Sequence, residues 1–144
     1  MAYCTVTDIS NAITSEKVKQ LTDDPGLGQI DQALVAAVIT AADELINGFL
    51  RAGGYTLPLA STPPILLDVS VDIVVFKLYE RKFRTNMPES IVKKYDSMIK
   101  LMKDIQKRVF LIGADTAVEA VGGNYASNKT AEDRVFTQDV LDTY

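Results

Sequence analysis

The sequence predicts an all-α fold: a small helical bundle of two short N-terminal helices and three long ones, followed by an extended C-terminal arm. Three observations predict it. Apolar residues recur at three- and four-residue steps through residues 30–50 and 89–109. A third apolar stretch, residues 65–83, is far longer than the roughly 8 residues of a buried strand. Clusters of Pro and Gly separate these segments. With 144 residues the chain has single-domain length and can bury roughly two thirds of its unfolded surface. Hydrophobic residues at 47% and charged residues at 24% exclude the low-hydrophobicity, high-charge composition of a disordered chain.

Thr5 and Asp8 have the spacing of a capping box, in which hydroxyl and carboxylate satisfy donors that the first helical turn leaves unpaired. A short helix should therefore run through Ile9 and Ile13. Ser15 is the expected cap of a second short helix containing Val18 and Leu21, and residues 22–28, with Pro25 and two glycines, read as a loop.

In residues 30–50, Ile30, Leu34, Ala37, Val38, Ala41, Leu45, Ile46 and Phe49 fall on one helical face. Asp31, Asp43, Glu44 and Asn47 lie mostly on the other, and Gly53 and Gly54 offer positive φ where the helix should end. Residues 55–64 hold three prolines in an apolar stretch and predict an ordered connector against the core.

Residues 65–83 are rich in β-branched side chains, which suit a strand. Pro63 and Pro64 suit a first helical turn, however, and Asp68 and Asp72 are spaced to share one helical face. Length decides for a helix, apolar nearly all round and hence central. Residues 85–88 break the chain, and Pro88 with Glu89 starts the last long helix. Its stripe is Ile91, Val92, Tyr95, Met98, Ile99, Met102, Ile105 and Val109, with Gly113 as the expected stop. The two methionines read as core filling rather than a binding groove.

Residues 1–112 are thus the expected bundle domain and residues 113–144 the arm. Residues 114–134 are small, polar and aperiodic. Apolar character then returns at Val135, Phe136, Val140, Leu141 and Tyr144. A polar tether with an apolar tip suits docking onto a neighbour, or folding back onto its own helices.

Little in the sequence points to catalysis. There is no histidine, the commonest general base and zinc ligand, and Cys4 is the single cysteine. Gly26 and Gly28 lack the third glycine and acidic partner of a dinucleotide site. Asp68 and Asp72, one turn apart, could bind a hard cation, but read more simply as a solvent-facing strip. No cofactor, no metal, no enzymatic activity and no small-molecule substrate are expected. No window has the uninterrupted apolar run of a membrane span, and the first residues lack a secretory signal, so a cytoplasmic protein is expected.

Charge is distributed unevenly. Residues 77–108 carry ten Lys and Arg against four Asp and Glu, within a chain of net charge −4. Lys93, Lys94, Lys100, Lys103, Lys107 and Arg108 form a candidate charged assembly face. The competing reading is a helical nucleic-acid-binding or regulatory module using the same stretch, opposed by the acidic overall balance.

Several features together resemble a known family. They are the opening MAYCTVTDIS, the helix IDQALVAAVITAADELINGFL with its A-x-x-x-I-x-G-x-L ending, the L-P-L…P-P connector, the proline-started helix, and RVFTQDVLDTY with Arg134 and Phe136. The chain resembles the Mu-like bacteriophage neck proteins, grouped with head-to-tail connector or head-completion proteins. The resemblance implies a structural subunit that assembles as a ring, often twelve-fold, on the phage portal protein after DNA packaging. It would meet a downstream neck or tail protein and reside in the virion neck, passing through the host cytoplasm during assembly. By the same analogy Arg134, Phe136, Val140, Leu141 and Tyr144 are candidates for the contact with portal or neighbouring subunit. Specific nucleic-acid binding is not expected.

Overall fold

The computed structural model describes residues 2–83 and 85–113. Within these residues the chain forms five helices and no strand: α1 (Val6–Ile13), α2 (Ser15–Thr22), α3 (Gln32–Ala52), α4 (Pro64–Lys82) and α5 (Glu89–Gln106). The all-α expectation holds. The expected arm, beyond Gly113, lies outside the described residues.

Helix α1 starts at the expected capping box. Thr5 Oγ1 accepts from the Asp8 amide at 3.3 Å, and the Asp8 carboxylate accepts from the Thr5 amide at 2.8 Å. The cap of α2 is Thr14, not Ser15, which is already helical. Thr14 ends α1 and begins α2, so the chain turns on one residue, held at φ 72°. Its hydroxyl accepts from Lys17 N.

Thr22 closes α2 from a buried position: it donates to Val18 O at 2.9 Å and accepts from Asp31 N at 3.3 Å. Between them Asp23 accepts from the amides of Leu27 and Gly28, which orders the loop. Asp31 then caps α3 through Leu34 N.

Helix α4 is central, packing against α1, α2, α3 and α5. Leu66, Val69, Ile73, Val74 and Leu78 are fully buried, and Val71, Val75 and Tyr79 nearly so. Each such side chain contributes about 1.5–3 kcal/mol of transfer free energy. Burial on several sides therefore outweighs the strand propensity of its β-branched residues. Tyr55 and Leu59 are buried, so the proline-rich connector lies against the core as expected.

Helix α5 runs from its Pro88 cap with Met102 and Ile105 buried, while Ile91, Tyr95, Met98 and Leu101 pack on the core's edge. The Tyr95 ring stacks on Phe76 of α4 with centroids 3.9 Å apart. The helix stops at Gln106, well before the expected Gly113, and Val109 is 77% exposed rather than part of the buried stripe. Arg108, at φ 59°, ends it. Arg108 N bonds to Ile105 O and Val109 N to Asp104 O, the paired closure usually built on glycine. Helix α3 ends with the same pair, Gly54 N to Arg51 O and Tyr55 N to Leu50 O, with Gly54 at φ 76°.

Candidate assembly surfaces

The expected charged face divides when folded. Lys93, Lys100 and Lys107, seven residues apart, line one side of α5 with Lys103 beside them, all exposed. Asp96 and Asp104 fall on the same side and dilute the field. Lys93 pairs with Glu89 at 2.7 Å. Lys94 points instead to α4, where it meets Asp72 at 3.1 Å. Arg108 leaves the face altogether: its Nε donates to Gly53 O at 3.0 Å and its guanidinium lies over the Tyr55 ring. Arg108 is therefore a clamp between helix ends.

Beyond the clamp, Val109, Phe110 and Leu111 are exposed by 77, 41 and 69%. Three consecutive exposed apolar residues on a held backbone are unusual for a free surface. Their amides are engaged in part, since Val109 N and Phe110 N both donate to Asp104 O.

The second apolar surface runs along α3. The core takes Val35, Ile39, Ala42, Asp43, Ile46 and Leu50. Of the expected apolar face only Ile46 is fully buried. Leu34, Val38, Leu45 and Phe49 are half-buried, and Ala37 and Ala41 are exposed. At about 100° per residue the two apolar faces lie roughly a third of a turn apart. The outer one floors an open groove of about 580 Å³ against Lys77, Glu80 and Arg81 of α4. A separate groove lies further along the same helix, at Leu45, Gly48, Phe49, Ala52 and Gln106. By length and composition α3 could cross a membrane, and 33% of its most apolar window is buried within the bundle. The signal was present in sequence: both the 35-39-42-46-50 and the 34-38-41-45-49 series are apolar.

Asp43, expected opposite the apolar face, is buried and held by the segment before α1, with Tyr3 N donating to its Oδ1 at 3.2 Å. Tyr3 Oη donates to Asn47 Oδ1 at 2.6 Å. Burial pushes the Asp43 carboxyl up, against the lowering effect of the Tyr3 amide. Cys4 is buried with Ser70 Oγ donating to its sulfur at 3.2 Å, and burial raises its thiol. A protonated, enclosed thiol is a poor nucleophile.

Asp68 is exposed, whereas Asp72 is half-buried and paired with Lys94, so only the former is a freely solvated strip residue. Among the described residues no group of three or more His, Cys, Asp or Glu is placed to hold a metal. Arg134, Phe136, Val140, Leu141 and Tyr144 lie outside the described residues.

The geometry is that of a packed bundle with two open apolar surfaces and no assembled chemical site among the described residues. No curated protein matches the chain. The family model described as bacteriophage Mu, Gp36 matches residues 3–128, which is most of its length. The chain belongs to the bacteriophage Mu Gp36 family.

Proposed function

We propose that this protein is a structural subunit of the phage particle, a head-to-tail connector without catalytic activity. It assembles as a ring on the portal protein and receives a downstream neck or tail protein. The observation that carries this reading is the Val109–Phe110–Leu111 patch in a chain of this phage family. A held, exposed apolar triplet suits burial against another subunit. A ring of identical subunits needs two different faces on each copy, and the groove along α3 supplies a second apolar surface distinct from the triplet.

The nucleic-acid reading loses support from the pairing of Lys93 and Lys94 with carboxylates and from the engagement of Arg108 by Gly53. Deleting the gene from the phage or prophage that carries it, followed by electron microscopy, tests the connector role. DNA-filled heads accumulating beside complete, separate tails are expected. Normal infectious virions would overturn it.

A further inference from the structure

We infer that in the free subunit the C-terminal segment of the same chain, residues 134–144, lies in the groove along the outer face of α3. The proposal concerns the isolated protein and stands whether or not the connector role does.

The groove wants an apolar occupant. Two grooves follow one another along the helix from Leu34 to Ala52, about 27 Å at 1.5 Å per helical residue, the first floored by Leu34 and Val38 and the second by Leu45 and Phe49. No described residue covers them, although their floor packs against the core and is rigidly presented. Outside the described residues, the 134–144 segment is the stretch of the chain that combines several large apolar side chains: Val135, Phe136, Val140, Leu141 and Tyr144.

The point of departure fits. Arg108 is bonded to Gly53, at the Ala52 end of the strip, Ile112 is buried, and Gln106 itself lines that end of the groove. The chain therefore leaves the bundle beside the groove it would enter. Residues 114–133 form a tether of small and polar residues whose root-mean-square span is about 25 Å, enough to reach any part of the strip. Such a tether presents its end at an effective concentration on the order of millimolar, far above that of a second copy in dilute solution. Occupancy by the chain's own end is favoured on that ground.

Charge agrees. Residues 114–144 hold six Asp and Glu against two Lys and Arg, so they carry the whole net charge of −4 and leave the remainder balanced. The wall opposite α3 carries Lys77, for which no described residue provides an ion-pair partner, beside Glu80 and Arg81, the latter already paired with Asp24. Asp139 and Asp142 sit among the apolar residues that would lie below Lys77.

The test uses the full chain with Cys4→Ser and a nitroxide on Thr143→Cys, outside the bundle. Amide resonances of residues 34–49 should lose most of their intensity and recover when the nitroxide is reduced. Adding Phe136→Asp and Leu141→Asp should abolish the loss while leaving the other bundle resonances in place. A mixed sample, with the nitroxide only on isotopically silent chains, reads exchange between copies. Broadening of α3 in that sample as strong as in the single-chain sample would overturn the proposal in favour of a neighbour's segment. Unchanged α3 intensities in both samples would overturn it outright.

Discussion

Arg108 Nε donates to the carbonyl oxygen of Gly53 at 3.0 Å, tying the end of α5 to the end of α3. The same guanidinium lies 5.8 Å from the centre of the Tyr55 ring. One side chain thus joins two groups at the junction where two helices terminate in identical hydrogen-bond patterns. Its left-handed backbone costs about 1–2 kcal/mol relative to glycine, offset by a charged hydrogen bond of about 1.5–3 kcal/mol.

Replacing Arg108 separates these effects. Arg108→Ala keeps the unfavourable φ and loses the bond to Gly53, so it should destabilise by about 1–3 kcal/mol. Arg108→Gly loses the same bond but relieves the backbone, and should fall between Ala and the parent. Urea unfolding midpoints of the three proteins check the order; Ala level with the parent would contradict the clamp, and Ala at or above Gly would contradict the backbone strain.

Gly53 makes a second, steric demand. A Cβ there would stand 3.1 Å from Gln106 Cα and 3.3 Å from Gln106 O, both backbone atoms that cannot swing aside. Gly53→Ala should cost about 1–3 kcal/mol by forcing α3 and α5 apart. Gly48, inside α3, meets nothing within 4 Å, so Gly48→Ala should stabilise by up to about 1 kcal/mol. Thermal unfolding of the pair should move in opposite directions.

Tyr55 gives a quieter test at the same junction. Its hydroxyl is buried with no hydrogen-bond partner among the described residues. Phe keeps the ring beneath Arg108 and removes an unsatisfied group, so Tyr55→Phe should be neutral or stabilising by about 1 kcal/mol. A loss larger than that would reveal a partner for the hydroxyl.

Much of this architecture was legible because local signals agreed with the global ones. The Thr5–Asp8 box, the Pro64 start of α4 and the Pro88 start of α5 each fix an end by backbone chemistry that needs no neighbour. Two readings failed where the deciding contact was distant. Helix α3 has two apolar series, and which one faces the core depends on where α4 and α5 lie; Asp43 is buried because Tyr3, forty residues away, caps its carboxylate. The end of α5 was misplaced because Arg108 occupies a position where glycine is the usual marker. Of the candidate contact residues, Lys93, Lys94, Lys100, Lys103 and Lys107 are exposed, while those from Arg134 onward lie outside the described residues.

Acid titration should separate two carboxylates of opposite sign. Arg81, bonded to Asp24 at 2.6 Å, holds the Asp24 carboxyl below its ordinary range. Its contribution is present above the unfolded value of about 3.9 and is lost as pH falls through the depressed folded value. Burial raises Asp43, so the folded state takes up its proton more readily than the unfolded one. Charged Asp43 therefore weighs against folding near neutral pH, and this penalty fades as pH falls through the raised value towards 3.9. Asp43→Asn, which keeps an acceptor for Tyr3 N, should raise the urea midpoint at neutral pH and lose that advantage below about pH 4. Asp24→Asn should lower the midpoint at neutral pH and have little effect in strong acid. Parallel shifts of both variants across the range would contradict the assignment.

The exposed triplet supplies the last prediction, one that separates folding from assembly. Val109 and Leu111 contribute little to the core at 77 and 69% exposure, so Val109→Asp with Leu111→Asp should change stability by no more than about 0.5 kcal/mol. If the patch is buried against another subunit, two carboxylates placed there meet an apolar surface without partners, and association should fall by orders of magnitude. Phage carrying the double variant should then give the same unjoined heads and tails as the deletion, while the purified variant unfolds like the parent. Infectious particles at parental titre would show that this triplet is solvent-facing in the virion as well, and would move the assembly contact elsewhere on the bundle.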